Sequence, residues 1–173
     1  MKVHVVGLPS SGKTTLASGL SSYLGVPRYD LDPVAYVDDR WSLRPSADRD
    51  KLVAEILASP GFVTEGHFVG WVTPLCAAAD RIVWLDPPLW VLMWRHVRRH
   101  GQVSKTQWLF ARLRFQVLCY IRPVGRSPAK DDPDLTRSGI GVMLGPWAEK
   151  VLRLRHPASL AEVIEKLRLH TGA

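Results

Sequence analysis

The sequence predicts an α/β fold built on a parallel sheet, and three observations predict it. Short apolar runs rich in β-branched residues alternate with segments of helical periodicity, the pattern of successive βαβ units. A glycine-rich turn joins the first such run to the first helix. The chain has 173 residues, of which 46% are hydrophobic, enough for one domain over residues 1–173 with a substantial core. No internal repeat is visible.

The first strand is expected at about 2–6, with its helix at about 13–24 closed by Gly25. A short second strand follows at about 28–31, then a helix at about 46–58 with Ser46 at its N-cap. "GFVTEG" predicts a third strand at about 62–65 and "RIVWLD" a fourth at about 81–85. Asp86 is expected to cap the next helix, with Pro87 in its first turn and its end near residue 99. Residues 105–121 have the pattern of another helix, and residues 122–147, rich in Pro, Gly and Ser, that of a mobile connection. "KVLRLR" predicts the fifth strand, and Ser159-x-x-Glu162 forms a capping box for the last helix.

The turn after the first strand has the spacing Gly7-x-x-x-x-Gly12-Lys13-Thr14, which matches the phosphate-binding P-loop. Each residue type has a physical reason. Gly7 and Gly12 let the backbone curl with its N–H groups inward, and Ser10, Ser11 and Thr15 complete the cradle. The helix that starts here adds its positive end. Lys13 reaches the β/γ-phosphates and the Thr14 hydroxyl ligates Mg²⁺. The implied cofactors are ATP and Mg²⁺.

Charge is unevenly spread. The net charge is +7, yet between Pro87 and Lys130 there is no Asp or Glu. That stretch carries Arg95, Arg98, Arg99, Lys105, Arg112, Arg114, Arg122, Arg126 and Lys130. Such a block suits an anion: the phosphates of a nucleotide, or a nucleic-acid backbone. The apolar stretch 71–97 is interrupted by Asp80, Arg81 and Asp86, so no membrane span and no membrane partner are expected. Because residues 2–6 already read as the first strand, no signal peptide is expected. Cys76 and Cys119 lack metal-ligand spacing and are expected to be reduced core residues of a cytoplasmic protein. The chain contains no asparagine, which excludes the guanine-reading Asn-Lys-x-Asp motif and the catalytic asparagine of protein kinases.

With "GLPSSGKTT", "LD" at 31–32, "VTEGHF" at 63–68, "RIVWLDPPLWVLMWRHVRR" at 81–99 and "LRHPASLAEVI" at 154–164, the chain resembles the small P-loop kinases of the adenylate-kinase-like group. Within that group it is most similar to bacterial proteins of the DNA topology modulation type. The resemblance implies a P-loop NTPase three-layer sandwich. Its five-stranded parallel sheet would have the order 2-3-1-4-5, with helices on both faces and a basic, helical lid at about residues 100–147. Ligands then bind at the carboxyl ends of the strands.

That rim gathers the candidate site residues. Asp30 and Asp32 end the second strand and point the same way; an Asp-x-Asp there resembles the small-metabolite kinases for shikimate and gluconate. A carboxylate at that place orients an acceptor hydroxyl or takes its proton. Equally, Asp30 ends the strand and Asp32 caps a turn. Glu65 resembles the acid that holds the Mg²⁺ water shell, Gly66 would let substrate approach the backbone, and His67 adds a titratable group whose simplest role is in the turn. Arg95, Arg98 and Arg99 share a helix face. The resemblance gives Arg95 and Arg99 contacts to nucleotide and transferring phosphate, and assigns the loop around His156 to the adenine base. Arg40 and Arg44 are candidates for an acceptor anion site, although Asp38 and Asp39 stand beside Arg40.

Adenylate-type kinases carry Asp-Gly-x-Pro-Arg after the third strand; here the run is "EGHFVGW", without proline or arginine. The expected function is therefore an ATP- and Mg²⁺-dependent kinase acting on a small hydroxyl-bearing metabolite, as monomer or homodimer. A nucleoside monophosphate kinase and a nucleic-acid-binding P-loop NTPase are the alternatives. The second would use the interleaved aromatics and arginines of helix 105–121; a lid helix with a buried apolar face is preferred.

Overall fold

The structure is a computed structural model that describes residues 1–38, 42–100, 106–129, 132, 134–156 and 158–169. Five strands form one sheet: β1 (Lys2–Gly7), β2 (Arg28–Asp30), β3 (Phe62–Gly66), β4 (Arg81–Leu85) and β5 (Val151–Leu154). Their order is β2-β3-β1-β4-β5, and every pairing is parallel. Register aligns the carboxyl ends: Asp30 lies opposite Glu65, Val6 opposite Gly66, and Gly7 opposite Leu85.

Eight α-helices and one 3-10 helix (Gly145–Lys150) connect and follow the strands among the described residues: α1 (Lys13–Leu24), α2 (Asp32–Ala35), α3 (Ser46–Ala58), α4 (Thr73–Ala78), α5 (Leu89–His100), α6 (Thr106–Ile121), α7 (Arg137–Leu144) and α8 (Leu160–Leu169). Alternation along β1 divides the core in two. Val3 and Val5 pack with Ala17, Leu20, Val163 and Leu167 of α1 and α8. Val6 joins Phe62, Leu75, Ile82, Trp84 and Ile140 on the other face. Each such buried side chain contributes roughly 1.5–3 kcal/mol relative to exposure. His4 shares the second face; its Nδ1 lies 2.9 Å from Thr64 Oγ1, and burial lowers its pKa to about 4, so the ring is neutral. Cys76 and Cys119 are free and buried, and burial pushes both thiols up to about 12. Among the described residues no helix is long and apolar enough to cross a membrane.

The structure corrects several expectations. Ser46 is the first helical residue of α3; the cap position is Pro45, whose carbonyl accepts from the Asp48 and Arg49 amides without any side-chain cap. Asp86 does not cap α5, which starts only at Leu89. Its buried carboxylate instead accepts from Arg137 Nε (2.6 Å) and Nη2 (2.8 Å) and from Arg153 Nη2 (2.6 Å) and Nε (3.0 Å). Residues 122–147 are not simply a connection. They contain α7, capped by Thr136 accepting from the Gly139 amide, and bury Leu135, Ile140 and Leu144 in the core. Two short helices, α2 and α4, start with proline in the first turn and were not expected. Gly25 does close α1 in the left-handed conformation, and Ser159 and Glu162 make the reciprocal bonds of a capping box.

Candidate active site

The phosphate loop, residues 7–14, is a strand-to-helix turn held in sparsely populated backbone geometry. Ser10 has φ 62° and Gly12 φ 101°, which turn successive amides toward a common concavity. Gly7 has to be glycine: a Cβ there would lie 2.5 Å from the Leu85 carbonyl oxygen. Lys13 Nζ lies within the loop and donates to the Leu8 carbonyl at 3.1 Å. Burial lowers the Lys13 pKa, while the charges of Glu65, Asp32 and Asp30 act the other way.

Two cavities open on this loop and share Ser10, Gly12, Thr15 and Arg99. The first, about 430 Å³, runs from Ser11 and Arg95 to His156, Ala158, Leu160 and Val163, in the loop after β5 and on α8. The second, about 550 Å³, is lined by Lys13, Thr14, Asp30, Asp32, Tyr36, Glu65, Gly66 and His67, and by Trp108, Arg112 and Phe115 of α6.

Asp32 is raised to about pKa 6, first by burial and then by the neighbouring Asp30 carboxylate. A carboxylate so poised takes protons more readily than a free one. Asp30 Oδ1 accepts from the Asp32 amide at 3.0 Å, so it starts α2 as well as lining the cavity. His67 stacks on Phe68 with centroids 4.5 Å apart, and its Nδ1 is 3.7 Å from Asp32 Oδ1. Burial, with the charges of Lys13 and Arg112, holds its pKa down at about 3, so it is neutral. Gly66 is packed rather than open: a Cβ would meet Leu31 and Phe68 at 3.1 Å. Glu65, almost fully buried, is paired with Arg28, Nη1 to Oε1 at 3.0 Å.

The arginines divide. Arg95 and Arg99 line the first cavity, and Arg95 Nη1 donates to the Ser11 carbonyl at 2.7 Å. Arg98 lines neither cavity; it stacks over Trp94, 5.3 Å from the ring centroid, so the three do not act as one set. Arg44 is turned onto backbone, donating to the carbonyls of Pro33, Val34 and Tyr36. Arg40, Lys105 and Lys130 lie outside the described residues.

Sequence reading missed two residues in contact with the loop. Gln116 of α6 donates from Nε2 to the Pro9 carbonyl at 3.0 Å, and His96 Nδ1 lies 3.1 Å from Ser10 Oγ. A lone amide inside the apolar run 115–121 was the available signal for Gln116. Arg28 was missed too, because its partner is 37 residues away.

Among the described residues no group of three or more His, Cys, Asp and Glu is arranged to hold a metal by itself. The donor set suits a phosphate-bound Mg²⁺ instead: the exposed Thr14 hydroxyl borders a cavity that gathers the carboxyl groups of Asp30, Asp32 and Glu65.

No family model and no curated protein sequence matches the chain. Solved structures do. A gluconokinase from Sinorhizobium meliloti 1021 superposes with TM-score 0.56 at 15% identity, covering 98% of this chain and 90% of that one. A shikimate kinase from Acinetobacter baumannii, in complex with shikimate, has TM-score 0.55 at 16% identity, over 99% and 94% of the two chains. A sugar kinase from Janibacter has TM-score 0.51 at 16% identity, over 98% and 93%. The fold is thus that of small P-loop kinases, the α/β class its sheet order and phosphate loop define.

Proposed function

We propose that the chain is an ATP- and Mg²⁺-dependent kinase that transfers the γ-phosphoryl group to a hydroxyl of a small acceptor. One observation carries this reading: two separate cavities meet at the phosphate loop, and the one away from α8 holds a carboxylate of raised pKa. The nucleotide would lie in the first cavity, its base near His156 and α8. The acceptor would lie in the second, where Asp32 positions its hydroxyl and accepts the proton as the oxygen attacks phosphorus. Lys13 and the loop amides stabilise the transferring charge. Arg95 and Arg99 face the same loop and neutralise the leaving side. Thr14 would hold Mg²⁺ directly and Glu65 through its water shell, and the ion would supply charge neutralisation for the transferring phosphoryl group. Closure of α6 over the cavity would exclude water.

A hydroxyl-bearing metabolite is favoured over a nucleoside monophosphate, because "EGHFVGW" supplies no arginine and Arg44 is spent on backbone carbonyls. The nucleic-acid-binding alternative, suggested by the DNA topology modulation resemblance, is disfavoured because Trp108 and Arg112 line a cavity opposite the loop. The setting would be cytoplasmic, and the enzyme a monomer or homodimer. The test is a metabolite screen with ATP and Mg²⁺, read by mass spectrometry for a gain of one phosphoryl group, with Lys13→Ala as the inactive control. Equal product from folded Lys13→Ala protein, or no product with any hydroxyl acceptor, would overturn the reading.

A further inference from the structure

We propose, resting on the kinase reading of the same site, that Gln116 is a positioning residue that makes the phosphate loop and the acceptor-side wall respond as one unit. Three consecutive loop residues are each held from outside by one side chain. Gln116 reaches the Pro9 carbonyl, His96 the Ser10 hydroxyl, and Arg95 the Ser11 carbonyl, at 3.0, 3.1 and 2.7 Å. All three side chains come from α5 and α6, none from the helix that the loop itself begins. The middle residue is the one at φ 62°, so the grip falls on the strained part of the loop.

Gln116 is the informative member. Its side chain is 1% exposed and sits between Phe115 and Val117. A buried amide left without a partner costs about 1–3 kcal/mol, so α6 docks favourably only where this amide meets Pro9. Arg112 lies one turn before Gln116, and Trp108 one turn before that, so the residues that touch the loop and those that line the acceptor cavity share one helical face. A phosphate that settles the loop therefore settles Pro9, and through Gln116 the wall that carries Arg112 and Trp108. The coupling is reciprocal: whatever orders that wall also favours the phosphate-binding form of the loop.

Hydrogen exchange read by mass spectrometry, with and without Mg·ADP, tests this. In the wild type ADP should slow exchange in α1 and in α6, the latter by about fivefold or more, the lower end of ordinary site-to-site coupling. In Gln116→Leu, which keeps the volume but loses the donor, α1 should still be protected, while the α6 effect should fall below about twofold, under that coupling range. Gln116→Met, which keeps the length of the side chain and has no donor, serves if the leucine variant does not fold, and should behave alike. Equal α6 protection in wild type and variant, or a wild type in which ADP protects α1 and not α6, would overturn the proposal. A wild type in which ADP protects neither helix would overturn the nucleotide-site reading, and this with it.

Discussion

Arg28 Nη1 and Glu65 Oε1 are 3.0 Å apart, so the buried acid beside the phosphate loop is paired by an edge strand. Glu65 is nearly inaccessible while the Arg28 side chain is about one-third exposed. Removing the arginine alone strands a buried carboxylate. Arg28→Met should cost about 2 kcal/mol, less than the loss of a fully buried pair because water reaches the arginine. Adding Glu65→Gln should recover part of that loss, since a neutral amide tolerates the site better than an orphaned charge. Urea unfolding of the single and double variants measures both; a double variant less stable than Arg28→Met would refute the account.

Asp32 links activity to pH. Its carboxyl titrates near pH 6 in the fold, against 3.8 as the ordinary value. If Asp32 accepts the acceptor's proton, kcat should fall as pH drops below about 6 and Asp32→Asn should lower it by at least about 10²-fold. Stability runs the other way. The folded state binds the Asp32 proton more tightly than the unfolded chain, so its contribution is present below about pH 4 and lost as pH rises through 6. Asp32→Asn should therefore stabilise the protein at pH 7–8, by about 1 kcal/mol after allowing for solvent screening of this partly exposed group, and the gain should vanish below pH 4. Denaturation midpoints at pH 4 and pH 8 check the sign.

Asp86 distinguishes a helix cap from a clamp. Losing a cap costs about 1 kcal/mol. Asp86 instead holds Arg137 of α7 and Arg153 of β5, whose guanidiniums also lie over Tyr120 and Trp84. Its hydrogen bonds, and then its charge, raise the Arg137 pKa. Asp86→Asn should cost about 2–3 kcal/mol, no more than the lower end for breaking a fully buried pair because both arginines are about one-third exposed, and should speed hydrogen exchange in α7. A loss near 1 kcal/mol with α7 unchanged would restore the capping role.

The basic block separates the two functional classes. Arg99→Ala should slow transfer, because Arg99 borders both cavities. Labelled DNA should bind only at a non-specific Kd of about 10⁻⁴–10⁻⁶ M at physiological salt. Arg112→Ala and Arg114→Ala should leave that value almost unchanged. Tight, salt-sensitive DNA binding that depends on both would favour the nucleic-acid alternative.

What was legible in the sequence is what local chemistry dictates. The loop from Gly7 to Thr14 is contiguous, so its spacing carries its geometry. The strand runs are contiguous too, and parallel pairing brings Asp30, Glu65 and Gly7 to one rim. The partners of side chains were not legible. Gln116 meets Pro9 across 107 residues, Arg137 meets Asp86 across 51, and Arg153 meets it across 67. No periodicity encodes such pairs. Composition also misled at 122–147, where glycine was read as looseness. Gly139 is there for close packing: a Cβ would sit 1.8 Å from the Asp134 carbonyl oxygen, and Ile140 beside it is fully buried.

The central place of β1 has a consequence for how the chain is made. Its two neighbours begin at Phe62 and Arg81, so the first strand to leave the ribosome waits about 60 to 80 residues for hydrogen-bonding partners on either side. Until then Val3 and Val5 have only the adjacent α1 to cover them, Val6 on the other face lacks its partners from Phe62 onward, and the loop-closure entropy of both pairings must be met before either helps. Synthesis that stalls before Phe62 would leave an apolar strand with two open edges, the kind of nascent species that chaperones bind.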